Sequence, residues 1–389
     1  SVGDTPLMIE RLISSLSEIE RIHRKPSAGM FDHEYISPEV IMTPKKAFYS
    51  DKKSVPIEKS AGMVCSEFVM CYPPGIPILA PGEMITPDIL DYIAYAKEKG
   101  CFMTGAEDIN IDYINHSEDV KFSIRVDKKL YTGKTDYQRI DVMTSKEFGT
   151  FLTLDGLMMV AEKDEFIYHE MITHVPMSVN PEIKNVLVIG GGDGGTVKQL
   201  VRYEGIENID LVEIDRAVVE VSMRFFPGMR VGFEDKRVTV YYEDGLKFIR
   251  SKRNEYDLII VDSTDPFGPG EGLFTREFYG NCSKALNENG IFVNQHESPY
   301  YDNYANSLVR AHSRIKGVFP IHKLYQAHIP TYPSGHWLFG FASNKFDPLK
   351  DLDADKWNKL GIKTEYYNTD LHKGSFALPN YVKELLENA

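Results

Sequence analysis

Five short apolar runs separated by helical stretches predict an α/β fold, a parallel-rich sheet with helices on both faces. The runs are NVLVIG, NIDLVEID, RVTVYYEDG, YDLIIVDS and GIFVNQHE, each closing in polar residues or glycine. Gly190-Gly191-Gly192-Asp193-Gly194-Gly195 follows the first of them directly, so the domain is read as Rossmann-like, with ligands at the carboxyl ends of its strands. Two other blocks precede it. At 389 residues the chain is too long for one average domain, and its organisation is read as 1–115, 116–180 and 181–389.

The first block is read as an extra α+β domain. It opens on an amphipathic helical pattern, Leu7, Ile9, Leu12, Ile13, Leu16 and Ile19. Pro73, Pro74, Pro77 and Pro81 then forbid a helix and force an extended, turning path. Thr86-Pro87 reads as a cap and first helical position, and Gly100 as the stop. The second block is a small β-rich domain. VKFSIRV, YQRIDVM and GTFLTLDG alternate as strands do, and DEFIYHEMITHV closes the block as a helix.

Composition excludes several classes. Lys plus Arg total 44 against 57 Asp plus Glu, a net charge of −13. Such a chain suits cationic substrates and is a poor binder of nucleic acid or anionic membrane. No apolar run approaches the ~18 residues of a membrane span. The first residues carry charges on a helical period and no signal-peptide core, and the start at Ser1 points to processing or trimming. Cys65, Cys71, Cys101 and Cys282 show no CxxC spacing, so neither zinc nor a disulfide framework is indicated. The expectation is a cytoplasmic chain.

The chemistry is expected at the strand ends. Glycines such as Gly190 let backbone turn tightly against a ligand. Glu213, twenty-one residues beyond Gly192, ends the second strand, where an acid can grip both ribose hydroxyls of a nucleoside. Asp193 stands inside the glycine run, where NAD and ATP sites avoid a carboxylate. It would attract an ammonium and repel a carboxylate, which favours a nucleoside whose tail ends in an amine only; decarboxylated S-adenosylmethionine fits. A plain turn or cap role for Asp193 stays open. Asp262 and Asp265, in DSTDP after YDLIIV, make a negative pocket. No local set of His or carboxylate ligands calls for a metal there, and a cationic amine is the simpler occupant. A turn-capping Asp265 is the alternative. The glycine-rich stretch at 267–272 is a candidate lid. His169 and Tyr332 could contact substrate or be structural.

Residues about 119–389 resemble a polyamine aminopropyltransferase of the spermidine synthase family, which has a methyltransferase-type Rossmann-like domain. The resemblance is carried in order by TDYQRI, LDGLMMVAEKDEFIYHEM, VLVIGGGDGGTVKQL, LVEID, YEDG, IIVDSTDPFGP, LFTREFY, IPTYPSGHW and YYNTDLHKGSFALPNYV. It implies that Gln138 and Asp193 hold the aminopropyl-sulfonium end of decarboxylated S-adenosylmethionine. It places Glu213 on the ribose and Asp244 on the adenine amino group. Asp262 would orient the attacking amine and accept its proton, with Tyr168 and Tyr332 alongside. Asp265, His169 and Gln295 would bind the acceptor, putrescine or another amine such as agmatine or cadaverine. No metal, flavin or pyridoxal phosphate is implied, and the assembly would be a homodimer or homotetramer. A methyltransferase on the same fold is the competing enzyme class. The chain departs from the family pattern at Tyr113-Ile114-Asn115-His116, where many members have Trp-x-x-Glu, and at Met159, where several have glutamine.

Residues about 1–112 resemble the C-terminal domain of ornithine, lysine and arginine decarboxylases, through VIMTPKKAFYS and SAGMVCSEFVMCYPPGIPILAPGEMIT. The larger domain in which those enzymes form the lysine aldimine is not in this sequence. The resemblance therefore implies an accessory module that docks to itself or to a decarboxylase.

Overall fold

The computed structural model describes residues 36, 38–50, 55, 57–72, 76–98, 102–104, 111–115, 121–264 and 268–387. The expected helix over Leu7–Ile19, the stop at Gly100, and His116 and Asp265 lie outside them. The chain divides into two compact units, Ser1–Ile109 and Asn110–Ala389.

In the first unit, Thr43 caps α1 (Pro44–Tyr49). Strands β1 (Val69–Tyr72) and β2 (Ile76–Leu79) pair antiparallel, and Pro73 and Pro74 of the expected turning path lie outside the described residues. Helix α2 (Pro87–Glu98) starts where the Thr86 hydroxyl accepts from the Ile89 amide, and β3 (Phe102–Thr104) completes a sheet ordered β2-β1-β3. Cys65, Val69, Leu79, Ile89 and Ile93 form its core.

The second unit begins with β4 (Ile111–Asn115), paired antiparallel with β5 (Lys121–Arg125). This pairing ties residues 111–115 to the second unit, so the division falls after Ile109 rather than at the expected boundary after 115. A meander comes next, β6 (Lys128–Lys134), β7 (Arg139–Ser145), β8 (Gly149–Leu154) and β9 (Leu157–Ala161). It leads into α3 (Glu165–Val179), in which every residue from Ile167 to Val179 is buried.

The larger domain alternates β10 (Asn185–Gly190), α4 (Gly195–Leu200), β11 (Asn208–Val212), α5 (Arg216–Phe225), α6 (Pro227–Glu234), β12 (Val238–Tyr241), α7 (Gly245–Arg250), β13 (Tyr256–Asp262), α8 (Arg276–Ala285) and β14 (Leu286–Gln295). Then come α9 (Asp302–Lys316), β15 (Ile321–His328), β16 (His336–Ser343) and the short helices α10 (Ala354–Lys359), α11 (Thr369–Ser375) and α12 (Asn380–Glu387). The sheet order is β12-β11-β10-β13-β14-β16-β15. Strands β10 to β14 run parallel, whereas β16 is antiparallel to both β14 and β15.

Strand β10 shows why the sheet is central. Val186 and Val188 pack on one face, Leu187 and Ile189 on the other, so both faces are covered. The chain leaves β10 for β11 and β12 on one side and returns as β13 on the other. That reversal opens a crevice at the carboxyl ends of β10 and β13. There Gly190 and Asp262 are register partners, joined further by the Gly191 amide donating to the Asp262 carbonyl at 2.6 Å.

Candidate active site

A cavity lies over that crevice. Its polar wall contains Gln138, Gly190, Asp193, Glu213, Asp244, Asp262 and Gln295, and Tyr168 and Tyr332 also face it. Residues expected from separate stretches of sequence therefore share one space. Leu152, Leu154, Leu157 and Met158 of the meander, with Trp337, supply an apolar side.

Asp262 ends β13, and both of its oxygens are engaged. Tyr168 donates to Oδ1 at 2.7 Å and Thr196 to Oδ2 at 2.6 Å. Burial, followed by the nearby Asp193 charge, raises the Asp262 carboxyl above its ordinary value; His169 and the two hydroxyls act in the opposite sense. A carboxylate that is fixed in direction and more basic than usual can receive a proton from a bound amine. Burial and the Asp262 charge push the Tyr168 phenol well above 10, so it remains a donor.

Asp193 serves the turn as well as the cavity. Its Oδ1 accepts from the Gly195 amide at 2.6 Å and lies 3.3 Å from His169 Nε2. Glu213 is buried at the end of β11, and burial raises its carboxyl to about 7. Its Oε1 accepts from the Asp215 amide at 2.9 Å. Asp215 in turn accepts from Gln138 Nε2 at 3.1 Å and from the Thr135 hydroxyl at 2.8 Å, which ties the β6–β7 turn to the sheet. Asp244 caps α7 through the Leu246 amide at 2.8 Å. Gln295 donates from Nε2 to Glu297 at 3.0 Å. Residues 268–274, within and just beyond the stretch read as a lid, form a 3₁₀ turn that places Gly270 and Leu273 on the cavity wall.

One expected residue stands apart from the cavity. His169 is expected along the acceptor, but it does not line the cavity. Helix α3 is buried on all sides, and the His169 ring sits beneath Gly195, where a Cβ would come within 2.1 Å of its Cε1. Its Nδ1 is 2.6 Å from Glu165 and its Nε2 faces Asp193. Tyr332 does face the cavity, with its hydroxyl donating to the Met159 carbonyl at 2.8 Å. Thr196, Glu165 and Asp215 are additions that the sequence patterns do not single out. Thr196 comes immediately after the glycine run, which is the only local sign of its place.

Residues 165–353 match the family described as spermine/spermidine synthase domain, and residues 111–162 match the spermidine synthase tetramerisation domain. A polyamine aminopropyltransferase from Alkaliphilus oremlandii is 72% identical over 272 residues, covering 70% of this chain and 96% of the relative. The chain belongs to the polyamine aminopropyltransferase family. A second such relative, from Clostridium perfringens strain 13, is 71% identical over 273 residues, again 70% of this chain and 96% of the relative. Among solved structures, a spermidine synthase in complex with the transition-state analogue AdoDATO superposes with a TM-score of 0.69. It shares 41% identity and covers 72% of this chain and 95% of its own. Spermidine synthase from Thermotoga maritima gives 0.68 at 41% identity, covering 72% and 94%. The two family matches together span 111–353. Residues 25–112 instead match the C-terminal domain of Orn/Lys/Arg decarboxylases, as their motifs predict. Among the described residues, no helix is long and apolar enough to cross a membrane.

Proposed function

We propose that this chain moves the aminopropyl group of decarboxylated S-adenosylmethionine to putrescine, giving spermidine and methylthioadenosine. The observation that carries the reading is Asp262. It is a buried, doubly anchored carboxylate, one strand from the glycine loop and in the same cavity as Asp193 and Glu213.

In this reading Glu213 accepts from the ribose hydroxyls and Asp244 meets the adenine amino group. Asp193 and Gln138 hold the aminopropyl end. The acceptor's cationic end lies toward Gln295, and its reacting amine at Asp262. A free diamine is mostly ammonium at neutral pH, its groups titrating near ~10. Asp262 takes the proton, directly or through water, as the nitrogen pair attacks the carbon beside sulfur. The new C–N bond forms as the C–S bond breaks, and the bonding pair leaves on a neutral thioether that needs no acid. Orientation in a site held by parallel strands supplies much of the rate. Tyr332, committed to Met159, shapes the wall beside Tyr168, and no bound cofactor takes part in this scheme.

Glu213 gives the reading a pH signature. Its raised value means that the empty, folded chain gains stability as the group is protonated; that contribution is complete below the ordinary 4.5 and is lost as pH rises through about 7. Ribose hydroxyls prefer the carboxylate, so nucleoside binding opposes protonation. Calorimetric titration with methylthioadenosine should show affinity falling by up to ~10-fold per pH unit below about 7. A flat profile between pH 8 and 6 would remove Glu213 from the ribose.

The direct test is mass spectrometry of products when putrescine, cadaverine, agmatine and spermidine compete for decarboxylated S-adenosylmethionine. Spermidine as the dominant product is expected. Aminopropylagmatine or a longer polyamine would keep the transfer and replace the acceptor, whereas no product would end the proposal. The match of 111–162 to a tetramerisation domain supports a homotetramer, with a homodimer as the smaller alternative. The first unit is assigned an accessory, assembly role.

A further inference from the structure

A chain of four charged groups runs from the surface of α4 to the cavity. Lys198 Nζ lies 2.6 Å from Glu165 Oε1, Glu165 Oε2 2.6 Å from His169 Nδ1, and His169 Nε2 3.3 Å from Asp193 Oδ1. The inner side chains are closed off: 8% of Glu165 and 3% of His169 remain exposed. Of the four, only Asp193, at the end, lines the cavity.

Burial alone would empty His169 of its second proton. The Asp193 and Glu165 carboxylates reverse this and raise it well above 6.5. Burial likewise works against the Glu165 carboxylate, which His169 and Lys198 nevertheless hold at about 2. The groups facing His169 are Glu165 from its own helix, Asp193 from the glycine loop, Lys198 through Glu165, and Asp262 from β13. With both nitrogens protonated, the ring donates in two directions at once. Gly195 permits this by leaving room for the ring beneath the turn.

The charge balance gives Glu165 a purpose. A cationic His169 beside Asp193 by itself would cancel the charge that a cationic substrate needs. Glu165 offsets the imidazolium from behind, so Asp193 faces the cavity with its negative field retained and its carboxylate held in one direction.

We propose that Glu165 is a positioning residue: acting through His169, it fixes and preserves the charge of Asp193 for the ammonium-bearing tail of the nucleoside substrate. This rests on the aminopropyl-transfer reading above and deepens it. Lys198 anchors Glu165 one step further out and keeps it ionised.

The test is steady-state kinetics of the full chain and its Glu165→Gln variant with decarboxylated S-adenosylmethionine and putrescine. The variant should raise the nucleoside KM on the order of 10-fold, the scale of one hydrogen bond to a charged group. Both kcat and the amine KM should stay within ~2-fold, a split that general loosening of the fold would not produce. With one anion gone, the imidazolium of His169 should lose its proton at a lower pH and stand uncompensated beside Asp193 below it, so kcat/KM for the nucleoside should rise with pH more steeply in the variant than in the unsubstituted chain. An active, folded variant with an unchanged nucleoside KM and pH profile would overturn the role while leaving the transfer reading intact. Failure of the unsubstituted chain to make any product would overturn that reading and this role with it. If Glu165→Gln does not fold, nitrogen NMR of the unsubstituted chain decides. Both His169 ring nitrogens should be protonated at about pH 8, and a neutral ring there would overturn the role.

Discussion

Asp262→Asn is expected to lower kcat by at least ~100-fold, the scale of a positioned proton transfer. The substitution conserves shape and removes the base. It also disturbs the hydrogen bonds, because Tyr168 and Thr196 both donate to the present carboxylate, at 2.7 and 2.6 Å. An asparagine can accept from one of them and must turn its NH2 toward the other. Methylthioadenosine lacks the ammonium-bearing tail and leaves the Asp262 carboxylate without a cation to attract, so its affinity should change by less than ~5-fold. Stopped-flow or single-turnover product formation, with calorimetry beside it, separates the two effects. A variant retaining a tenth or more of the original kcat would show that the amine loses its proton elsewhere.

Gly190→Ala should produce the largest loss of stability. The residue has φ +81°, and an added Cβ would sit 2.1 Å from the Asp262 carbonyl oxygen and 2.8 Å from its carbonyl carbon. Both obstacles are backbone, and that backbone belongs to the adjacent β13. The left-handed conformation alone costs ~1–2 kcal/mol for an alanine, and overpacking adds ~1–3 kcal/mol. Together they should lower Tm by roughly 10 °C in a domain of this size. Activity should fall further than stability, since relief of the clash moves Asp262. Gly205→Ala is the matched control: its Cβ would meet nothing within 4 Å and its φ is not positive. Equal melting curves for the two variants would contradict the steric account.

Much of this site is legible in the sequence because its residues end strands. In a parallel α/β sheet, a polar residue closing an apolar run lands at the carboxyl edge wherever the run sits in the chain. Glu213 after NIDLV and Asp262 after YDLIIV need only that rule. Asp193 is legible for another reason: a carboxylate amid glycines has no side-chain neighbours to hide it. The features that escape such reading depend on contacts across the fold. Thr196 reaches Asp262 over 66 residues, and no local pattern announces it. His169 is assigned to the acceptor through family resemblance alone, and the polar residues around the circumference of α3 give no local sign that the helix is buried. In the fold that helix is wrapped completely. Glu170, for example, accepts from the amides of Glu365, Tyr366 and Tyr367 at 2.9, 2.8 and 2.8 Å. Distant segments supply the partners that make such burial tolerable. The boundary near 110 escapes for a similar reason, since a hairpin is recognised only when both of its strands are paired.

The pairing of Gly190 with Asp262 has a further consequence. In the proposed transfer, the loop that would seat one reactant and the carboxylate that would serve the other are carried on neighbouring strands of a single hydrogen-bonded ladder. Strands in a sheet lie about 4.8 Å apart, and that spacing is among the least deformable lengths in a protein. Under that proposal the separation of donor carbon from acceptor nitrogen would be gauged by main chain rather than by loops, so that loops could exchange the amine they admit while the interval over which the bond is made stays constant.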